Sequence, residues 1–206
     1  MNSQVRKVFF GKYVFDVCEN VYAPAEDTFL LARNLSVKRN AKVLDVGTGC
    51  GILAVLAAEK ASRVVAIDVN PYAVNCAKRN VELNRFGAET KIYMGDLFES
   101  VEAGEKFDLI LFNSPYLPVE ESEGGSWIEK AWAGGKTGRA VIDRFIDGVS
   151  EYLTQKGYIM LVQSSLSNVE ETLEHFSQHK LQALIIDEEK SMFEKIVLIK
   201  ARREPS

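Results

Sequence analysis

The amino-acid sequence predicts an α/β fold with a mostly parallel sheet. Short, almost continuously apolar runs alternate with longer amphipathic stretches, which is typical of parallel strands that are connected by helices and covered on both faces. The last two runs are joined by a short charged turn, which predicts an antiparallel C-terminal hairpin. The seven runs are AKVLDV (41–46), RVVAID (63–68), KIYMGD (91–96), FDLILF (107–112), GYIMLV (157–162), LQALIID (181–187) and FEKIVLIK (193–200). We therefore expect a sheet of seven strands.

An N-terminal extension of residues 1–36 is expected to precede this sheet within a single domain over 1–206. The segment VFFGKYVFDV is typical of a hairpin that turns at Gly11 and Lys12. PAEDTFLLARNL follows as a helix with acids in its first turn, where they interact favourably with the helix dipole. With 206 residues, 47% of them hydrophobic, the chain is long enough for one domain with a substantial core.

Two helices between the strands have clear sequence signals. Asn70 is a typical N-cap, and Pro71 suits the first helical position. The apolar face of this helix comprises Val74, Ala77 and Val81. A second helix is expected to start at Thr137, with a buried face formed by Val141, Phe145 and Val149.

Composition disfavours nucleic-acid-binding, disulfide-rich and membrane-spanning proteins. The net charge of −4 disfavours unaided binding to a nucleic-acid backbone, because that affinity comes mainly from many Lys and Arg side chains. The three cysteines are far apart and lack CxxC spacing, so we expect neither a disulfide framework nor a metal site. There is no leader-like start and no apolar run close to 18 residues, which favours a cytoplasmic protein.

A glycine-rich turn marks the first candidate binding site. VLDVGTGCGIL places Gly47, Gly49 and Gly51 between a strand and a helix, where glycine lets the backbone approach a ligand. A tight turn alone would explain this pattern. Asp68, however, ends the next strand about 20 residues later, where a carboxylate can bind both ribose hydroxyls of an adenosine cofactor.

The spacing of the turn favours S-adenosylmethionine over a dinucleotide. Ile52 occupies the place of the last glycine of GxGxxG, and Asp45 stands two residues before the first glycine. A carboxylate at this point repels a pyrophosphate and attracts a methionine ammonium group. Asp96, at the end of the third strand, is suited to an adenine amino group. Three acids at successive strand ends lie where open α/β sheets bind ligands.

The segment after the fourth strand carries the candidate catalytic residues. Asn113, Ser114, Pro115 and Tyr116 resemble the Asn-Pro-Pro-Tyr motif of class I methyltransferases that act on planar nitrogen, with serine in place of the first proline. In such a nitrogen the lone pair is delocalised, so its hydrogens must be held and its lone pair aimed. The Asn113 side-chain oxygen can accept one N–H, a main-chain carbonyl can accept the other, and Tyr116 can pack on the planar group.

Two further segments resemble one branch of this group. YAPAEDTFLLARNL (22–35) and KAWAGGKTGRAVIDRFIDGVSEYL (130–153) look like the archaeal and eukaryotic HemK-type methyltransferases. The resemblance implies a Rossmann-like class I domain that N5-methylates the glutamine of the GGQ motif in class I release factors. It implies that Thr28, Asp45 and Gly47 bind the methionine end of the cofactor, Asp68 the ribose, and Asp96 and Leu97 the adenine, with Gly49 as a further cofactor-binding residue. It also implies that Asn113 touches both cofactor and target, and that Pro115 and Tyr116 shape the target pocket.

The same resemblance implies a partner. Members of this branch commonly work with a small zinc-binding activator that extends the sheet, and the KIYM strand would be its docking edge. The loop after the tetrapeptide contains Trp127 and Trp132, which we expect to shape a substrate channel. The rim acids Glu120, Glu121 and Glu123 would attract a basic peptide, which weakly favours a protein target.

Three other functions stay open at this point. A protein lysine would be an alternative target, although the sequence shows no base dedicated to deprotonating an amine. An exocyclic amine of DNA or RNA suits the tetrapeptide equally well, but the acidic composition disfavours it. A noncatalytic scaffold that binds S-adenosylmethionine would explain Ser114 and is the weakest of the three.

Overall fold

The structure is a computed structural model that describes residues 6–120, 125–190 and 193–204. Its strands are β1 (Arg6–Phe10), β2 (Tyr13–Val17), β3 (Lys42–Val46), β4 (Arg63–Asp68), β5 (Thr90–Met94), β6 (Phe107–Asn113), β7 (Leu153–Ser164), β8 (Leu181–Lys190) and β9 (Lys195–Arg203). Its α-helices are α1 (Glu26–Asn34), α2 (Ile52–Ala58), α3 (Pro71–Leu83), α4 (Trp127–Lys130), α5 (Ala140–Val149) and α6 (Val169–Gln178). None of the helices in these ranges is long and apolar enough to cross a membrane.

The central sheet has the seven predicted strands in the order β5-β4-β3-β6-β7-β9-β8. The first five are parallel, and β9 is antiparallel to both β7 and β8, so the mostly parallel sheet and its antiparallel C-terminal hairpin are confirmed. The KIYM strand, β5, lies at an edge as expected. The strand order reverses between β3 and β6. Because such crossovers are right-handed, α2 and α3 cover one face and α5 covers the other, which leaves a crevice at the carboxyl ends of β3 and β6.

Helix α5 begins at Ala140, three residues later than the sequence predicts. Gly135 and Gly138 have φ angles of 77° and 75°, a left-handed conformation that an α-helix does not contain. A Cβ atom at Gly138 would lie 2.3 Å from the carbonyl oxygen of Tyr116. Gly138 therefore lets the turn before α5 pack directly on the segment that follows β6.

Helix α5 also fixes the sheet from the face opposite α2 and α3. The Phe145 ring packs on Phe112 of β6 with 4.5 Å between centroids, and Phe145 and Val149 are fully buried, as predicted. Helix α6, for which we made no prediction, packs beside α5. Its start has a recognisable signal, because the Asn168 side chain accepts a hydrogen bond from the backbone N–H of Glu171.

Two asparagines attach the N-terminal hairpin to the sheet domain. Strands β1 and β2 pair antiparallel with Gly11 and Lys12 at the turn, as predicted. Asn80 lies in the last turn of α3, and Asn84 directly follows the helix. Each side chain bonds both the N–H and the carbonyl of a β2 residue, Asp16 and Val14 respectively, at 2.7 to 3.3 Å. Asn80 also donates to the Cys50 carbonyl of the glycine turn at 2.7 Å. These two asparagine side chains thus satisfy the backbone groups of β2 that would otherwise pair with a neighbouring strand.

Asn80→Ala should lower the free energy of unfolding by about 2 to 4 kcal/mol, because the Cys50 carbonyl loses its partner in a buried contact and two part-buried backbone groups of Asp16 lose theirs. Asn84→Ala is the matched control. Its contacts are only part-buried, so water can replace them and the loss should be about 1 kcal/mol or less. Urea denaturation of both variants measures the difference, and equal losses would contradict this account of the hairpin.

Candidate active site

A cavity of about 330 Å³ opens at the carboxyl ends of β3, β4, β5 and β6, in the crevice where the strand order reverses. Seven of the residues predicted to form the site line it: Gly47, Gly49, Asp68, Asp96, Leu97, Asn113 and Pro115. Three others, Thr28, Asp45 and Tyr116, are buried behind this wall. The structure therefore brings together in one region residues that are up to 88 positions apart in the sequence.

The glycine turn after β3 leaves room for a ligand. Gly47 and Gly49 have φ angles of 66° and 57°, and a Cβ atom on either would meet nothing closer than 3.7 Å. Gly51 differs, because its Cβ atom would lie 3.0 Å from the Cα and Cβ atoms of Ala77. Gly51 is thus needed for packing α2 on α3, whereas Gly47 and Gly49 give the backbone its turn beside the cavity.

Asp68 is held rigidly at the cavity wall. One carboxylate oxygen accepts the N–H of Gly49 at 2.8 Å, and the other accepts the N–H of Asn70 at 2.8 Å. Burial raises the pKa of this carboxyl group. Because each oxygen keeps a further lone pair, the group can still accept hydrogen bonds from two ligand hydroxyls.

Asp45 is fully buried beneath the glycine turn. Its Oδ2 accepts the Thr48 hydroxyl at 2.6 Å, while Oδ1 is buried without a hydrogen-bond partner among the described residues. Burial raises the pKa of Asp45 to about 7. An unsatisfied buried carboxylate oxygen is costly, so a cation bound by the turn would relieve this site.

Asp96 forms an ion pair that the sequence did not indicate. Its Oδ2 accepts Nη2 of Arg144 at 2.8 Å, and both residues line the cavity. On the same wall, the Lys130 ammonium lies over the ring of Trp127 of α4, 4.6 Å from the ring centroid. Helices α4 and α5 therefore supply cationic and aromatic side chains opposite the strand ends.

A hydrogen-bond network around Asp27 positions the candidate catalytic residues. The buried Oδ2 of Asp27 accepts the Asn113 side-chain amide at 3.2 Å and the hydroxyls of Tyr22 and Tyr116, each at 3.3 Å. Its Oδ1 accepts the N–H and the hydroxyl of Thr28, at 2.5 and 3.1 Å. Five donors from four residues thus converge on one carboxylate. Sequence reasoning did not identify Asp27, although it lies in the quoted PAEDT segment.

This network leaves the side-chain oxygen of Asn113 as an unused hydrogen-bond acceptor. Its amide nitrogen donates to both Asp27 and Thr28, at 3.2 and 3.1 Å, which fixes the orientation of the side chain. The amide oxygen has no hydrogen-bond partner among the described residues, although it is buried. An anchored amide with an unsatisfied oxygen beside a cavity is suited to accepting an N–H group from a ligand.

Ser114 has a structural role that accounts for its hydroxyl. Its Oγ donates to the Val162 carbonyl of β7 at 2.7 Å, and the side chain is buried. This bond ties the turn after β6 to the neighbouring strand, where proline would restrict the backbone by its ring instead.

The segment beyond the tetrapeptide is also tied down. Leu117 pairs with the stretch before α5: its N–H donates to the Trp132 carbonyl at 2.8 Å, and its carbonyl accepts the Gly134 N–H at 2.9 Å. Of the two tryptophans, Trp127 lines the cavity and Trp132 does not. Of the three rim acids, Glu120 is exposed, whereas Glu121 and Glu123 lie outside the described residues.

The chain is similar in sequence to known methyltransferases over most of its length. The family model described as methyltransferase small domain matches residues 21–128. The chain is 41% identical to a putative protein N5-glutamine methyltransferase from Methanocaldococcus jannaschii, over 89% of this chain and 92% of that protein. It is 35% identical to methyltransferase HEMK2 from Homo sapiens, over 84% of this chain and 86% of that protein.

A solved structure shows the same fold. A chain of the E. cuniculi Mtq2–Trm112 complex, described as responsible for the methylation of the eRF1 translation termination factor, superposes with a TM-score of 0.66. The match covers 90% of this chain and 99% of that chain at 24% identity. An identity this low supports the fold alone.

Asp27→Asn should lower turnover about 100-fold while changing the affinity for S-adenosylmethionine by less than about threefold. The amide cannot accept hydrogen bonds at both of its ends, so Asn113 and Tyr116 lose their fixed orientation. Steady-state kinetics and calorimetric cofactor binding separate the two effects. The control is Glu26→Gln, which changes the exposed neighbouring acid and should behave as wild type. Wild-type turnover in Asp27→Asn would refute the positioning role.

The raised pKa of Asp45 predicts a pH dependence. A cation bound by the glycine turn favours the ionised carboxylate, so affinity for S-adenosylmethionine should rise about fivefold to tenfold between about pH 6 and pH 7.5. The folded pKa lies above the unfolded value, so the ligand-free protein should lose stability as pH rises from about 4 to about 7. Asp45→Asn should bind more weakly, and both of its pH dependences should be flatter. Across this pH range, calorimetry measures the affinity and urea denaturation measures the free energy of unfolding. If Asp45→Asn kept the wild-type pH profiles, Asp45 would not be the group that titrates.

Proposed function

Since the chain belongs to the methyltransferase small domain family, and within it to the HemK-type methyltransferases of archaea and eukaryotes, we propose that it methylates a translation release factor. The methyl donor is S-adenosylmethionine, and the acceptor is the side-chain amide nitrogen of the glutamine in the GGQ motif of a class I release factor. The name of the relative from Methanocaldococcus jannaschii and the description of the Mtq2–Trm112 complex support this acceptor.

The anchored side chain of Asn113 is the observation that carries the proposal. With its nitrogen bound to Asp27 and Thr28, its oxygen accepts one N–H of the substrate amide, and the Ser114 carbonyl accepts the other. These two bonds hold the nitrogen in place and direct its lone pair at the transferable methyl group. S-adenosylmethionine supplies that methyl group as an electrophile attached to a sulfonium. The methylated nitrogen is strongly acidic, so it loses its proton to water.

The surroundings of Asn113 favour an amide over a lysine amine. A lysine acceptor must lose a proton before it can attack, which requires a base. Burial next to Asp27 raises the pKa values of Tyr22 and Tyr116, so both phenols stay protonated. Asp27 itself already accepts five hydrogen bonds. The two tyrosines therefore act as donors that orient the carboxylate, and Tyr116 and Pro115 shape the acceptor pocket.

Each part of S-adenosylmethionine has a fitting group in the cavity wall or buried directly behind it. The unsatisfied Asp45 oxygen suits the methionine ammonium group, with Thr28, Gly47 and Gly49 at the same end. Asp68, fixed by two backbone N–H groups, suits the ribose hydroxyls. Asp96 and Leu97 would hold the adenine. The left-handed backbone of Leu97, with φ of 50°, turns the chain at this wall of the cavity.

A small activator subunit would bind at the β5 edge of the sheet. The supporting observations are the description of Mtq2 as part of a complex with Trm112 and the exposed apolar side chains on the elements nearest this edge. Met94 of β5 is 62% exposed and Phe9 of the hairpin 70%, and Tyr72 and Leu83 of α3 are also exposed. An apolar strand edge of this kind can be extended by a partner strand. We expect the partner to be a zinc-binding protein.

A methyl-transfer assay tests the proposal. The protein, alone and with a zinc-binding activator, is given labelled S-adenosylmethionine and one of four acceptors: a class I release factor, histone, tRNA or DNA. We expect label on the release factor, and its loss when the GGQ glutamine is replaced by alanine. Asn113→Ala should remove at least about 99% of the turnover and leave cofactor binding largely intact, because the acceptor contact is lost while the groups assigned to the ammonium, ribose and adenine of the cofactor remain.

The other outcomes distinguish the alternatives. Label on histone would indicate a lysine acceptor, and label on tRNA or DNA alone would refute a protein substrate. Cofactor binding with no label on any acceptor would favour a noncatalytic scaffold. Equal turnover in Asn113→Ala and wild type would show that Asn113 does not position the acceptor.

A further inference from the structure

The two histidines of the chain lie together at the C-terminal end of α6, away from the cavity; His175 is in the last turn of the helix and His179 is the residue directly after it. His175 and His179 are four residues apart, so both project from one face of the helix, and their ring centroids are 5.2 Å apart. Asp147 of α5 faces both rings. Its Oδ1 lies 2.8 Å from Nε2 of His175 and 3.2 Å from Nε2 of His179. Two imidazole nitrogens from one helix therefore converge on one carboxylate oxygen of another.

We propose that Asp147, His175 and His179 bind a divalent transition-metal ion, with Zn²⁺ as the expected occupant. One potential ligand atom from each of the three residues lies within 4.8 Å of the other two. Tetrahedral zinc with metal–ligand distances near 2.0 to 2.1 Å separates its ligands by about 3.3 Å. The 3.2 Å contact already matches that spacing, and the 2.8 Å contact must lengthen by about half an ångström.

A second carboxylate orients the inner histidine. Asp143 Oδ1 lies 3.2 Å from Nδ1 of His175, and Nη2 of the buried Arg139 donates to the same oxygen at 2.6 Å. When the Nδ1–H of an imidazole donates a hydrogen bond to a carboxylate, Nε2 carries the lone pair that can bind a metal. This is the usual arrangement around metal-bound histidine. Asp143 thus selects the tautomer that a metal requires.

The position of His175 between two carboxylates also points to a cation. A neutral imidazole has one N–H, so one of its nitrogens would direct a lone pair at either Asp143 or Asp147. A metal ion at Nε2 removes this conflict without a second proton on the ring. It also satisfies His179 Nε2 and the Asp147 carboxylate together, with a further position left for water.

The chemistry of the ligands selects the class of metal. Imidazole nitrogen suits zinc, copper, iron and nickel, whereas calcium and magnesium prefer sites built from oxygen. The site is accessible, because the side chains of His175, His179 and Asp147 are 18%, 31% and 60% exposed. None of the three lines the cavity, so the ion would act as a structural crosslink between α5 and α6. Through α5 it would hold the helix that supplies Val141 and Arg144 to the cavity wall.

Zinc binding to the untagged, chelator-treated protein tests the site. Isothermal titration should show one Zn²⁺ per chain, and saturating Zn²⁺ should raise Tm by about 5 to 10 °C. His179→Gln and Asp147→Asn should each weaken binding at least about 100-fold and abolish the Tm shift. Glu174→Gln, which removes an exposed carboxylate from the same helix, is the matched control and should bind like wild type.

Three results would overturn the proposal. They are no saturable Zn²⁺ binding by wild type, unchanged binding by His179→Gln, and Co²⁺ spectra with thiolate charge-transfer bands, which would assign the metal to cysteine. Circular dichroism of each variant without metal confirms that it is folded. Methyl transfer in the absence of Zn²⁺ and of a zinc-binding partner is a separate measurement, so failure of the metal site and failure of the proposed function are distinguishable.

Discussion

The buried carboxylate of Asp27 is the contact on which the geometry of the site depends. It joins α1, in the N-terminal extension, to the turn after β6, and its two oxygens accept hydrogen bonds from Tyr22, Thr28, Asn113 and Tyr116. Such a network is strong in a low-dielectric interior when every donor is satisfied. Because Asn113 donates two hydrogen bonds from its amide nitrogen in this network, its oxygen is the atom left to accept a hydrogen bond from a ligand.

Asp45 of β3 and Asp68 of β4 are carboxylates near the carboxyl ends of their strands, and they differ in how many of their oxygens accept hydrogen bonds. Asp68 receives two backbone N–H groups and needs no further partner, whereas Asp45 has one satisfied oxygen and one unsatisfied oxygen. In the ligand-free protein the ionised Asp45 carboxylate is therefore destabilised by burial, and a cationic ligand beside it would reduce this destabilisation. If the cofactor ammonium binds at Asp45 as we propose, part of its affinity comes from the relief of this destabilisation.

Apolar runs and special residues at their ends were enough to predict the sheet, its parallel and antiparallel parts and seven of the residues that line the cavity. These features are local, because a strand and its terminal residue are adjacent in sequence. Asp27 and Arg144 were missed because their roles depend on partners 86 and 48 positions away, which no local pattern shows. The start of α5 was misplaced because Gly135 and Gly138 act through their left-handed backbone, and Ser114 was unexplained until its bond to β7 was seen.

Ser114 makes the turn after β6 depend on the neighbouring strand of the sheet. A proline would stiffen the turn by covalent geometry, independently of anything around it. The serine hydroxyl instead bonds a carbonyl of β7, and β7 is held in register by β9. A shift of β7 would therefore displace the carbonyl that Ser114 bonds, and with it the turn that follows Asn113. With proline at position 114, the turn would be restricted by its own ring instead.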